Sequence, residues 1–310
     1  MTGVEIVEVC PRDGLQNEKR VVPTDDKIEL VHRLIAAGAR RIEVASFVHP
    51  RRVPQMADAE AVVAGLRPPP GVRLTGLVLN ARGLERAIAT GGLDEVNYVV
   101  PATDAFGLAN QGRGTADCLA ELPLIRKLCD EAGLDLTVTL AVAFGCPYTG
   151  DVSPPAVVEA ARRIVDVRPD ELALADTIGC AVPAEVTGLF RALRTLPGLP
   201  PLRTHFHQTR MTALANVHAA QAEGVTRHDA SAGGLGGCPF APGAEGNAAT
   251  EDVAWMLRRS GHDAGLDIDR ITETGRWICA LLGVPSRSGL AAAGPFPGAD
   301  LARRDGGLSD

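Results

Sequence analysis

Eight times along the 310 residues a short apolar run, rich in β-branched side chains, gives way to a longer stretch, usually of helical periodicity. Nothing else in the chain constrains its fold so tightly. The runs fall at residues 4–9, 40–47, 72–79, 94–100, 136–143, 171–177, 202–207 and 227–232. Among the intervening stretches, "TDDKIELVHRLIAAG" (24–38) predicts an amphipathic helix with Thr24 as its N-cap and Gly38 as its stop. Ser153-Pro154 and Val182-Pro183 read as a cap followed by a first-turn proline, which lacks a donor that the first turn leaves unpaired anyway. A strand, a crossover helix and a further strand make parallel neighbours, and eight such units close most naturally into a barrel. The expected fold class is α/β, a TIM (β/α)8 barrel with extra C-terminal helices; an open doubly wound sheet is the alternative.

After the eighth run comes "GGLGGCPFAPGAEGN" (233–247), which surrounds one thiol with residues that refuse regular structure. "TEDVAWMLRRSG" and "IDRITETGRWICALLG" then predict two closing helices. Residues 1–284 are expected to form a single catalytic domain. Residues 285–310, rich in glycine, proline and charge, are expected to be a flexible tail.

Composition narrows the function classes. A hydrophobic fraction of 45% over this length buries a core without metal or disulfide staples. The formal net charge of −7 argues against a general nucleic-acid surface. No apolar run approaches membrane-spanning length, and the first strand starts too early to leave room for a signal peptide. Seven cysteines without framework spacing predict free thiols in a reducing compartment, so a cytoplasmic protein is expected.

In such barrels the catalytic face lies at the C-terminal ends of the strands, and the chemistry-bearing residues cluster at those ends of the predicted strands. His205 and His207 in "THFHQ" are two apart, so both imidazoles share one strand face, as metal ligands would; two hydrogen-bonded core histidines are the alternative. Arg12 and Asp13 follow the first strand in "CPRDGLQNE": an oxygen ligand beside a guanidinium, or an ordinary turn. Glu43 in "RIEVASF" and Asp176 in "LADTIG" place carboxylates in apolar strands, where each needs a partner. A catalytic role and a structural ion pair are both open. One aspartate, two histidines and an asparagine oxygen suit an octahedral divalent ion, Mg2+ or Mn2+, better than a tetrahedral zinc.

"VEVCPRDGLQNE", "IEVASFVHPRRVPQMAD", "GCPYTG", "ADTIG", "HFH", "GGLGGCPFAPGAEGNAATED" and "WICALLG", in this order, resemble the 3-hydroxy-3-methylglutaryl-CoA (HMG-CoA) lyase family from about residue 4 to about residue 284. The resemblance implies a metal-dependent carbon–carbon lyase that cleaves a 3-hydroxyacyl-CoA thioester, HMG-CoA giving acetyl-CoA and acetoacetate. It implies that Asp13, His205 and His207 hold the ion with Asn247 as a further ligand, and that Arg12 sits near the thioester carbonyl. Glu43 and Asp176 would orient Arg12 and bound water, and Cys238 would ride on a mobile loop and assist proton transfer. A homodimer is also implied, with an acyl-CoA substrate and neither nucleic acid nor membrane as partner.

Departures from the family pattern bear on substrate. Gln208 stands where an acidic residue usually follows the second histidine, and Leu108 and Ala109 replace two basic residues before Asn110. Such changes point toward another 3-hydroxy-3-methyl acyl-CoA, such as citramalyl-CoA or a longer branched homologue. A Claisen-condensing acyltransferase related to isopropylmalate synthase, and a metal-binding scaffold without activity, are the remaining alternatives.

Overall fold

Every predicted run is a strand in the computed structural model, which describes residues 3–237 and 246–294. The strands are β1 (Glu5–Glu8), β2 (Arg41–Ser46), β3 (Arg73–Val78), β4 (Glu95–Pro101), β5 (Asp135–Ala141), β6 (Glu171–Asp176), β7 (Leu202–Phe206) and β8 (Arg227–Ala230). Each pairs in parallel with its sequence neighbours and β8 returns to β1, closing the barrel. Burial on both faces explains their apolar composition: β2, β4 and β6 are buried at every residue.

Helices α1 (Thr24–Ala36), α2 (Ala59–Gly65), α3 (Ala81–Ala89), α4 (Asp104–Gln111), α5 (Thr115–Ala132), α6 (Pro154–Val165), α7 (Pro183–Leu193) and α8 (Ala213–Ala222) follow β1 to β7. The closing pair is α9 (Thr250–Arg259) and α10 (Ile268–Leu282). Of these, α2 and α4 carry no strong periodicity in the sequence. A two-stranded hairpin, Gly145–Cys146 against Gly150–Asp151, is likewise an addition to the sequence reading.

Two expectations change. Thr24 is the first helical residue rather than the cap, because Pro23 before it is extended, and the Thr24 hydroxyl donates to Asp58 Oδ2 at 2.7 Å. The helix ends at Ala36 with Gly38 as the expected stop: at φ +101° it turns the chain toward β2 while its amide reaches back to Ile35 O. Within the expected tail, α11 (Gly289–Ala293) forms, capped by Ser288, while the Arg287 amide donates to Gly233 O at 3.0 Å. Asp252 anchors it by accepting from the Ser288 hydroxyl and from the Gly289 and Leu290 amides. Residues 295–310 lie outside the described part. The six described cysteines are all free, and no helix among the described residues is long and apolar enough to cross a membrane.

Polar side chains recur at every second residue along the bore, as a period of two demands. At the N-terminal end Arg41 donates to Glu95 at 2.6 and 2.8 Å and to Glu171 at 2.7 and 3.0 Å. Thr137 and Arg227 complete this floor with hydrogen bonds to Glu95 and Glu171. One layer higher, the same alternation brings Glu43, Asn97, Thr139, His205 and Asp229 toward the C-terminal rim.

Candidate functional site

The chain leaves β1 through a single wide turn, Cys10–Gly14, in which the amides of Arg12, Asp13 and Gly14 all reach back to Val9 O. A widened turn of this kind departs from ordinary helix and is common at functional sites. It swings Arg12 and Asp13 over the end of the bore. Two strands round the barrel, with β8 between, β7 delivers His205, and His207 follows directly. The Nε2 atoms of the two imidazoles are 3.1 Å apart and lie 3.8 and 3.7 Å from Asp13 Oδ2. One ligand atom from each residue thus falls within 4.8 Å of the others, a spacing suited to one divalent cation.

Asn247 reaches the same place by backbone stitching. Gln208 N donates to Gly246 O at 2.8 Å and Ala248 N to Phe206 O at 3.1 Å, which lays residues 246–248 beside the end of β7. Its Nδ2 donates to Asp13 Oδ2 at 2.7 Å and to Leu235 O, while its Oδ1 is buried without a hydrogen-bond partner. The glycines at the base of this loop answer to packing. A Cβ on Gly236, at φ +105°, would lie 2.5 Å from Asn247 Nδ2, and one on Gly246 would lie 2.1 Å from Gly236 O. Close backbone approach therefore accounts for them without invoking motion. Cys238 lies outside the described residues, although Gly237 before it lines the cavity.

Charges around Arg12 are tightly organised. Glu43 accepts from its Nε and Nη2 and Asp13 from its Nη1. Behind it, Asn97 Nδ2 donates to Glu43 Oε2 at 2.8 Å and Thr139 donates to Asn97 Oδ1 at 2.7 Å. Burial opposes the guanidinium's charge, but Asp13 and Glu43 outweigh it and hold its pKa above the ordinary value. Burial would likewise raise Asp13, yet Arg12 and then the two histidines hold it well below the usual carboxylate range. His205 is raised against its burial, chiefly by the hydrogen bond to Asp229 Oδ2 at 3.0 Å and by Asp13.

Of the residues singled out in the sequence, Arg12, Asp13, Glu43, His205, His207 and Asn247 come together. Asp176 does not. It pairs in register with Phe206, one residue out of phase with His205, so its side chain leaves the bore. There it accepts the amides of Cys180 and Ala181 at 2.9 Å each, a turn-stabilising role in place of the expected catalytic one. Gln208 also turns away, accepting from the Ala213 amide at the start of α8. Leu108 is exposed, whereas Ala109 lines the cavity. Asn97, Thr139 and Asp229 escaped the sequence reading. Their signal was present as isolated polar residues at alternate positions in apolar strands.

The cluster sits at one end of a cavity of about 830 Å³. Leu77, Val99, Phe106 and Ala141 form an apolar wall, and His49, Arg52, Arg82 and Arg86 supply a basic border from the segments after β2 and β3. A closed parallel barrel with an Asp–His–His cluster suited to a divalent cation at its C-terminal rim, beside such a cavity, has the layout of a barrel enzyme.

The chain belongs to the HMGL-like family, whose profile matches residues 3–278, and it is a lyase of that family. It is 41% identical over 307 residues to the (R)-citramalyl-CoA lyase of Chloroflexus aurantiacus, covering 95% of this chain and 96% of that protein. The hydroxymethylglutaryl-CoA lyase of Pseudomonas mevalonii is 40% identical over 296 residues, covering 94% and 98% respectively. An HMG-CoA lyase from Acinetobacter baumannii, solved with coenzyme A and 3-methylmalate, superposes with a TM-score of 0.89 at 37% identity, covering 95% of this chain and 98% of that one.

Proposed function

We propose that this lyase splits a 3-hydroxy-3-methyl acyl-CoA, with HMG-CoA giving acetyl-CoA and acetoacetate as the leading reaction and Mg2+ or Mn2+ as its cation. The observation that carries the reading is the convergence of Asp13, His205 and His207 beside a buried Arg12 at one end of the cavity.

The residues fit the ion. Three ligand atoms converge without a bulky side chain between them, and the buried, unpartnered Oδ1 of Asn247 becomes a fourth ligand if the amide rotates. A divalent cation held there supplies a Lewis acid for the substrate's hydroxyl and carbonyl oxygens. The chain's own groups do the rest. Cleavage requires that the 3-hydroxyl lose its proton, that the C2–C3 bond break with its electrons passing to the thioester enolate, and that the enolate carbon gain a proton. Arg12, fixed from behind by Glu43 and Asn97, is a preset donor for the enolate oxygen as negative charge grows there. Cys238, next to a glycine that lines the cavity, is our choice for the proton donor. The basic border suits the phosphates of coenzyme A, and the apolar wall suits the acyl and pantetheine portions.

Citramalyl-CoA is the second reading, supported by the Chloroflexus enzyme's similarity and by Ala109, a small neutral residue lining the cavity at a position where the family pattern carries a base. Steady-state kcat/KM for both thioesters, measured with Mn2+ and a reductant, tests the assignment. A ratio above about tenfold, or 1.4 kcal/mol, identifies the substrate. Metal-loaded protein inert toward both would overturn the proposal.

A further inference from the structure

His205 and His207 look equivalent in the sequence, yet the structure treats their outer nitrogens differently. His207 Nδ1 is buried without a hydrogen-bond partner. His205 Nδ1 meets Asp229 Oδ2 at 3.0 Å, and the backbone imposes that contact because the two residues are register partners across β7 and β8. The other oxygen of Asp229 lies 3.3 Å from Nε of Arg203, a fully buried guanidinium two residues before His205 on the same strand face. Arg203 has one other close carboxylate, Glu171 at 3.2 Å, which Arg41 ties into the floor. The barrel thus carries a ladder of alternating charge from floor to rim: Arg41, Glu171, Arg203, Asp229, His205.

We infer that Asp229, beside the buried charge of Arg203, is the positioning residue that fixes His205 with Nδ1 protonated and the Nε2 lone pair turned toward the cation. A carboxylate only accepts, so Nδ1 carries the hydrogen, and in the neutral imidazole that binds a cation the lone pair is then on Nε2. Arg203 lies against the other oxygen of Asp229 as a buried counter-charge. No comparable partner holds His207, so the preorganisation of the centre resides in one imidazole. The inference rests on the metal reading above and adds a residue to it.

The test is Mn2+ affinity, followed by electron paramagnetic resonance of the free ion, on the full chain. Asp229→Asn keeps the shape and removes the charge; Asp229→Ala combined with Arg203→Met removes both charges together and leaves no buried ion unpaired. Both variants should bind Mn2+ about 10- to 100-fold more weakly, while their metal-free thermal melts stay cooperative. Affinities within twofold of the parent in both variants would overturn the inference. A parent protein that does not bind Mn2+ would instead overturn the metal reading on which it rests.

Discussion

The two ends of the barrel bury similar chemistry for opposite ends. At the floor, Arg41 is shared between Glu95 and Glu171, and Arg227 and Thr137 take up the remaining acceptors, so the charges are spent on one another. At the rim, Arg12 is shared between Asp13 and Glu43 in the same manner. There, however, Asp13 and Asp229 with His205 and His207 line a large cavity, and His207 Nδ1 and Asn247 Oδ1 are buried without partners. Buried polar groups are ordinarily paired, and exceptions call for an explanation. A closed network is structural; an open one beside a cavity has capacity left for a ligand.

The largest effect expected from this contrast is loss of the ion. Asp13→Ala should abolish measurable turnover and Mn2+ binding together while the barrel still folds; retained Mn2+ affinity would remove Asp13 from the centre. At the other end, Arg41→Met leaves Glu95 buried without its two-pronged guanidinium and takes one of three guanidinia from Glu171, at a cost of about 3–5 kcal/mol in urea unfolding. Its surviving folded fraction should keep parental Mn2+ affinity, and a matched loss of affinity would erase the distinction between the ends. Next comes Arg12→Gln, which should lower kcat by about 10²–10³ with metal binding intact. An active variant would withdraw the enolate donor assigned to it.

The smallest effect concerns slope. Glu8 is buried with no arginine beside it among the described residues, accepting from the amides of Cys10 and Ala232 and from the Thr250 hydroxyl. Burial therefore wins and raises it from 4.5 to about 7. Glu171 is equally buried, but Arg203, Arg41 and Arg227 overcome the desolvation and lower it to about 2. Their linkages have opposite signs. The Glu8 contribution is fully present below about pH 4.5 and lost as pH rises through 7; the Glu171 contribution is present above 4.5 and lost as pH falls through 2. Glu8→Gln should therefore flatten the fall in stability between pH 4.5 and 7, a slope of at most about 1.4 kcal/mol per pH unit for one proton, and leave the acid limb unchanged. Denaturant titrations at stepped pH check it, and an unaltered slope would mean that Glu8 is not the group responsible.

Much of the site was legible because strand periodicity converts spacing directly into a shared face. The separation of two put His205 and His207 on one face, whereas Arg12 and Asp13 read equally as an ordinary turn until the family resemblance singled them out. Asp176 shows the limit of that reading. Proximity to a strand's C-terminus placed it near the rim, but a phase difference of one residue sends its side chain to the helix side of the sheet. Asn247 lies 40 residues from His207 in the chain, and its place depends on backbone bonds that no local pattern announces.

By itself, then, the order of apolar runs and helical stretches favoured a barrel, and the ordered motifs at the strand ends, through their resemblance, a lyase family and a set of expected cation ligands. Only the tertiary structure decided which buried charges neutralise one another and which stay open. That outcome depends on register and phase between strands far apart in the chain: β7 against β8 gives His205 its carboxylate, and β2 against β4 gives Arg41 one of its carboxylate partners. Local propensity acts over a few residues, whereas electrostatic pairing in a buried bore acts across whatever the closed sheet brings within about 4 Å.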